Sequence, residues 1–445
     1  MKVFARVFKR LLMPATGLAA AALLCAPAGK SRTLVVHEWG TFTSVQGADG
    51  VLLDWRPLQT SVLPKFVYDW TKPGLNRQAS AYLLFGKGGV VARQRMETPV
   101  LYFYSEEKQT VDVSVKFPQG LITEWYPQAR EIGPSTVRPP SFLASLDSLA
   151  HKCGAKPNFS FASVLPNQNV PDSRVHWKDV TVLPERQNPG LQGTLARDAS
   201  GSHYFSARAT DSDYVELPSL GTSNQPAEHE KFLFYRGVGN FTTPLKVTMN
   251  ADGRLTLANT GTEPLASLIE LTLDHGAGNF ICVDQLRPGE NQALPTTGSQ
   301  PMAAEGLSRQ IGDAMAQALV KAGLYPREAR AMVETWKDSW FAEDGLRVLY
   351  VLPRAWTDRT LPLALEPAPR ELVRVMVGRS EILPPALEEH LAGAVAKAAQ
   401  GDAAAKEEVA AEVKRLGRFG PAAIDLAARI SDQRVAQTGL ARETR

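Results

Sequence analysis

The chain has 445 residues, 44% hydrophobic and 21% charged, which excludes a disordered protein and leaves room for two or three domains of ~150 residues. Its formal net charge is +3, but Lys2, Arg6, Lys9 and Arg10 at the start have no acidic neighbour. Removing those four charges leaves −1 and no Lys/Arg run, which excludes nucleic acid as a partner.

The basic start runs into an apolar stretch over residues 11–24 and then Ala26-Pro27-Ala28. That is the layout of a secretory signal peptide over residues 1–28, and it predicts a periplasmic or secreted protein cleaved near Ala28. The apolar run is shorter than the ~20 residues of a membrane anchor, and no later stretch could span a bilayer after cleavage. Bulky Leu24 argues against a lipoprotein site at Cys25. Cleavage leaves Cys153 and Cys282, which in an oxidising compartment can form one disulfide or stay as two free thiols.

Residues 33–46 are dense in β-branched and aromatic side chains and predict a strand. The run 100–104 predicts a buried strand. Val111, Val113, Val115 and Phe117 alternate with polar residues, the period of a half-buried strand, and 121–126 continues the sheet. Loop-rich sequence follows to about 230, with Val180–Leu183 and His203-Tyr204-Phe205 as short strand candidates. Leu245, Val247 and Met249 alternate up to Asp252-Gly253, and Leu255 and Leu257 alternate back, a hairpin signature. Ile269, Leu271 and Leu273 predict another strand.

The pattern changes near residue 301. Leu307, Ile311, Met315 and Leu319 recur every four residues, so a helix is expected, with Gly323 past its end and Pro326 opening the next. Trp336 and Trp340 stripe one face of that second helix. Strands are expected over 346–352 and 372–377, then an alanine-rich helical hairpin broken at Gly417–Pro421. The reading is α+β multidomain: a β-rich domain with long loops over 29–230, an antiparallel β-sandwich part over 231–300, an α/β segment over 301–384, and a helical hairpin with a polar tail over 385–445.

Several residues are candidates for chemistry. His37-Glu38 is not a zinc-protease HExxH, because Thr41 holds the second histidine's place. In a strand His37 and Glu38 point to opposite faces, so one site using both needs a bulge, which Gly40 can help make. The bland alternative packs His37 against Trp39 and pairs Glu38 with an arginine. Arg95 and Glu97 share a strand face, where arginine forks suit a ligand carboxylate or phosphate or else form an internal salt bridge. Glu38-Trp39 and Glu124-Trp125 are two Glu-Trp pairs, and paired carboxylates beside tryptophans are the equipment of glycosidases. His37, Glu38, Glu97 and Glu124 are thus catalytic candidates, and Trp39, Arg95 and Trp125 ligand-binding ones. Nothing local assigns a cofactor or metal, though distant histidines such as His37 and His275 could assemble a metal site. No nucleophile elbow, phosphate loop or complete GxGxxG is present.

The stretches 37–43, 95–104, 121–127, 232–241 and 335–353 together resemble uncharacterised exported bacterial proteins that carry His-Glu-Trp-Gly-Thr-Phe-Thr just after the signal peptide. The resemblance implies a bacterial, exported chain and carries over no activity. The functional expectation is a binding or interaction protein of the periplasm or cell envelope, engaging envelope or extracellular polymer through sheet aromatics. The alternative is a hydrolase, acting on glycans or with a metal, with a site around His37, Glu38, Arg95 and Glu97.

Overall fold

The computed structural model describes residues 31, 33–58, 63–69, 90–133, 173–220, 226–294 and 300–443. The signal segment 1–28, Cys25 and Cys153 lie outside the described residues.

The fold is α+β, built on one large sheet. In chain order its strands are β1 (Val35–Gln46), β2 (Tyr68–Asp69), β3 (Gln94–Tyr104), β5 (Gly120–Tyr126), β10 (Leu233–Gly239), β13 (Leu265–Asp274), β14 (Ala277–Leu286), β16 (Met302–Ala303), β17 (Gly345–Val351) and β19 (Glu371–Ile382). They lie side by side as β16-β14-β13-β17-β19-β1-β3-β10-β5-β2. A second sheet holds β4 (Gln109–Lys116), β6 (Glu131–Gly133), β7 (Arg174–Leu183), β8 (Tyr214–Leu217), β9 (Glu228–Glu230) and β18 (Leu363–Glu366), and a third holds β11 (Leu245–Met249), β12 (Leu255–Asn259) and β15 (Asn291–Ala293). The large sheet draws strands from 29–230, 231–300 and 301–384 alike, so these segments share one framework. The predicted sandwich hairpin is β11–β12, with Gly253 at φ +81° in its turn.

The helices are α1 (Ala304–Lys321), α2 (Pro326–Lys337), α3 (Arg354–Thr360), α4 (Pro385–Ala399), α5 (Ala403–Arg415) and α6 (Gly420–Glu443). Leu307, Ile311, Met315 and Leu319 are fully buried beneath α1, each contributing roughly 1.5–3 kcal/mol over exposure. Gly323, at φ +113°, ends the helix as expected, and Pro326 is the first residue of α2. A π-helical turn, Asp338–Ala342, extends α2.

The layers follow from two apolar faces. One face of the large sheet packs on the two smaller sheets through Val36, Phe42, Met96, Trp125, Val113 and Trp177. The other packs on α1, α2 and a 3-10 turn through Trp39, Val100, Tyr102, Ile311 and Trp340. Every residue of β1 is buried, because both its faces are covered. The C-terminal helices cap one end over Val45, Leu53 and Trp55.

One short element was misread. His203-Tyr204-Phe205 forms the 3-10 helix His203–Arg208 instead of a strand, capped by the Ser202 side chain accepting the Tyr204 N–H. Tyr204 and Arg208 both bind Glu230, which holds the turn against the sheet. Those are partners distant in sequence, so local strand propensity was overridden.

Candidate functional site

The helix-facing side of the large sheet carries a row of charges across six adjacent strands. Arg347 on β17 binds Glu381 on β19 with its Nε at 3.1 Å. Arg379, also on β19, binds the same carboxylate at 2.8 Å. Next come Thr43 on β1 and then Arg95 and Glu97 on β3, with Arg95 Nε 3.5 Å from Glu97 Oε2. Arg236 on β10 forks onto Glu124 of β5 at 3.0 and 2.7 Å. Four arginines and three glutamates are thereby buried in one belt.

The helical layer completes the belt. The π-turn places Ser339, whose hydroxyl accepts from Arg379 Nη1 at 2.6 Å and from Arg418 Nη2 at 2.9 Å. Both hydroxyl lone pairs are then filled, which leaves its proton to donate. π-Turns recur at functional sites because they displace a side chain from its helical position. Arg418, in the 3-10 turn Gly417–Phe419 between α5 and α6, donates to Glu97 Oε1 at 3.0 Å. Glu343, just after the π-turn, binds Arg379 at 2.8 Å. The rings of this corner add support: the Arg379 and Arg418 guanidiniums lie over Phe419 at 5.4 and 4.9 Å.

Between sheet and helices lies a cavity of about 470 Å³ whose lining includes Arg95, Glu97, His203, Trp336, Ser339, Glu343 and Arg418. Arg95 meets one carboxylate here among the described residues, and shares it with Arg418. Its Nε has no hydrogen-bond partner, nor has Arg418 Nε, His203 Nε2 or Trp336 Nε1. Such a concentration of unmet buried polar atoms is costly and marks a site short of an acceptor.

The electrostatics agree. Burial pushes Arg95 down to about 10, Glu97 opposes that, and Arg236 and Arg418 add to it. Burial raises Glu97, but Arg95 and Arg418, helped by Thr43 and Arg379, outweigh it and hold Glu97 at about 2. Burial likewise raises Glu343, and Arg379 and Arg418 overcome it so that its value is lowered. His203 is pushed down to about 4 chiefly by burial, so it is a neutral imidazole packed on Trp336 at 5.0 Å.

The four residues expected around one hydrolytic site do not converge. His37 pairs with Tyr102 and Thr41 with Glu97, so His37 stands four residues further along the sheet, roughly 13 Å at ~3.3 Å per residue. Its Nδ1 lies 2.7 Å from Glu328 Oε2, and its ring packs on Tyr325 rather than on Trp39. Glu38 points to the opposite face, where it accepts from Arg374 at 2.5 Å and Tyr235 at 2.7 Å. A bulge does form, but β3 supplies the extra residue near Thr98, at φ +48°, beyond Trp39. The pairing of β1 with β19 is unbroken, so His37 and Glu38 stay on opposite faces. Gly40 serves this bulge: a Cβ there would lie 2.9 Å from Pro99 Cα.

The Glu-Trp pairs are corrected too. Glu38 and Glu124 face opposite sides of the sheet, so they form no glycosidase pair. Trp39 and Trp125 are both 0% exposed and have no surface to offer a sugar or polymer. Cys282 is exposed on β14. His275 sits at an exposed hairpin tip, remote in the fold from buried His37. It does lie near Asp274 and Asp344, with ligand atoms within 4.8 Å of one another, an exposed group that could hold a metal ion. Among the described residues no helix is long and apolar enough to cross a membrane.

Of the candidates, Arg95 and Glu97 are at the cavity. Sequence reasoning missed His203, Ser339, Glu343, Arg379 and Arg418. Arg418 carried one usable signal, its place in the Gly-Arg-Phe-Gly break between helices, where a turn presents a side chain endwise.

No family model and no curated protein matches the chain. Among solved structures, the yeast delta-COP-I mu-homology domain complexed with a Dsl1 WxWxV peptide is similar at 10% identity and a TM-score of 0.27, over 79% of this chain and 98% of that one. The yeast delta-COP-I mu-homology domain is similar at 8% and 0.26, over the same shares. Likeness at that level carries nothing about fold, partner or activity to this chain.

Proposed function

We propose that this is an exported binding protein whose recognition site is the Arg95–Arg418 cavity and whose ligand presents an anionic group. The observation that carries this reading is Arg95: a buried guanidinium beside a cavity, with a carboxylate at 3.5 Å that a second arginine holds more closely, at 3.0 Å. A ligand oxyanion would supply the acceptor that the protein withholds. The remaining arginines of the belt spend their forks on protein carboxylates and act as a rigid frame. Export rests on the basic, apolar and small-residue layout of residues 1–28, and the bacterial envelope on the resemblance around His37–Thr43. The sheet tryptophans play no part, because they are buried.

The test is thermal unfolding of the purified protein with sodium acetate, sulfate or phosphate at constant ionic strength. A specific anion stabilises by an amount that grows with concentration over its Kd, about 2.7 kcal/mol at 100 Kd. At least one anion is expected to raise the Tm of the wild type in a concentration-dependent way and to leave Arg95→Gln unmoved. Equal shifts in both proteins, or none in either, would refute the assignment.

A further inference from the structure

We infer that the cavity selects ligands bearing a single negative charge, presented as a carboxylate, over dianions. This rests on the cavity binding an anion at all. The buried belt has four arginines against three glutamates. The helical side adds one of each, Arg418 and Glu343. The buried and half-buried groups are therefore short by one negative charge, the exposed Asp338 at the cavity rim standing outside the count.

The shortfall has an address. Arg236 is satisfied by its two-pronged contact with Glu124, and Arg347 and Arg379 by Glu381 and Glu343. What remains is Arg95 and Arg418 dividing Glu97, and both line the cavity. One ligand charge closes the balance. A second finds no cation left, and three carboxylates, Glu97, Glu343 and Asp338, line the same space. In a partly buried cleft, a like charge close to these carboxylates costs at least roughly tenfold in affinity. A planar carboxylate also matches an arginine fork, and the Ser339 hydroxyl, with its lone pairs occupied, is left to donate to it.

Calorimetric titration of the full chain with propionate, malonate and sulfate at pH 7.5 and fixed ionic strength tests this. Propionate has one charge, malonate has the carboxylate shape with two, and sulfate has two without that shape. Propionate is expected to bind at least about tenfold more tightly than either dianion. Malonate or sulfate binding as tightly as propionate would overturn the selectivity while leaving an anion site in place. Binding of none of the three would remove the site itself. Glu343→Gln, at a half-exposed position, takes away one negative charge and is expected to narrow the gap between sulfate and propionate. A gap unchanged in that variant would also count against the charge balance.

Discussion

At the residue scale, the belt turns burial into pH dependence. His203 titrates at about 4 in the folded chain against 6.5 as its ordinary value. The unfolded chain therefore takes up a proton first. Stability from this group is complete above pH ~6.5 and is lost as pH falls toward ~4. Glu97 is depressed as well, from 4.5 to about 2. Its contribution is complete above ~4.5 and is lost as pH falls through ~2. The two windows are consecutive, so single substitutions separate them. The difference in unfolding free energy between wild type and His203→Asn is expected to change by up to about 3 kcal/mol between pH 7 and pH 4, and to be flat below that. A difference already flat between pH 7 and 4 would show that His203 is not held neutral by burial. The same residue shows what local sequence hides: His203 lies in a Ser-His-Tyr-Phe run that looks like a strand. Only Glu230, reached by Tyr204 and Arg208, makes it a turn that faces the cavity.

At the element scale, the paired histidine and glutamate of the opening strand divide their work between two layers. His37 fastens the start of α2. Glu328 accepts the Tyr325 N–H at 2.7 Å as a helix cap, and its carboxylate also takes the Tyr104 hydroxyl at 2.6 Å and meets His37 Nδ1 at 2.7 Å. One carboxylate, itself fully buried with His37, thus joins β1, β3 and α2. Glu328→Ala is expected to cost roughly 1–3 kcal/mol for each buried partner it leaves unmet. Hydrogen exchange would show the loss as faster exchange in the first turn of α2, with α1 little changed. Unaltered exchange there would mean that the cap does not hold the helix. The α1 stripe and the Gly323 and Pro326 signals were legible because they are local, spaced by the helical turn itself. The β3 bulge was not, because it depends on Gly40 of a different strand admitting Pro99.

At the scale of the whole molecule, the large sheet joins strands from nearly the full described length. β1 lies parallel to β19, and Glu38 reaches Arg374 across that junction with Tyr235 of β10 as a third member. Breaking such a buried pair on one side leaves Arg374 with only the half-exposed Asp358, at 2.8 Å. Glu38→Met alone is expected to cost about 3–5 kcal/mol, whereas Glu38→Met with Arg374→Met is expected to recover most of it. Urea midpoints of the two variants decide the point. A double variant as unstable as the single one would mean that Glu38 contributes by something other than neutralising Arg374. The C-terminal helices matter on this scale too, since they deliver Arg418 to Glu97, a residue 321 positions earlier.

By itself the sequence determined what repeats at short range. The alternation of β4, the β11–β12 hairpin, the α1 stripe with its flanking Gly323 and Pro326, the break at Gly417–Pro421 and the shared face of Arg95 and Glu97 are all set by periods of two or 3.6 residues and by turn chemistry. The tertiary structure alone decided which strands are neighbours, and with that which charges meet. It set Glu38 and Glu124 on opposite faces, buried Trp39 and Trp125, and separated His37 on β1 from Glu97 on β3 by four residues along the pairing. It also brought Arg418 and Ser339 over Arg95. The reason is physical: periodicity assigns a side chain to a face, but charge balance at a site depends on side chains from many strands, and the chain order does not encode their adjacency.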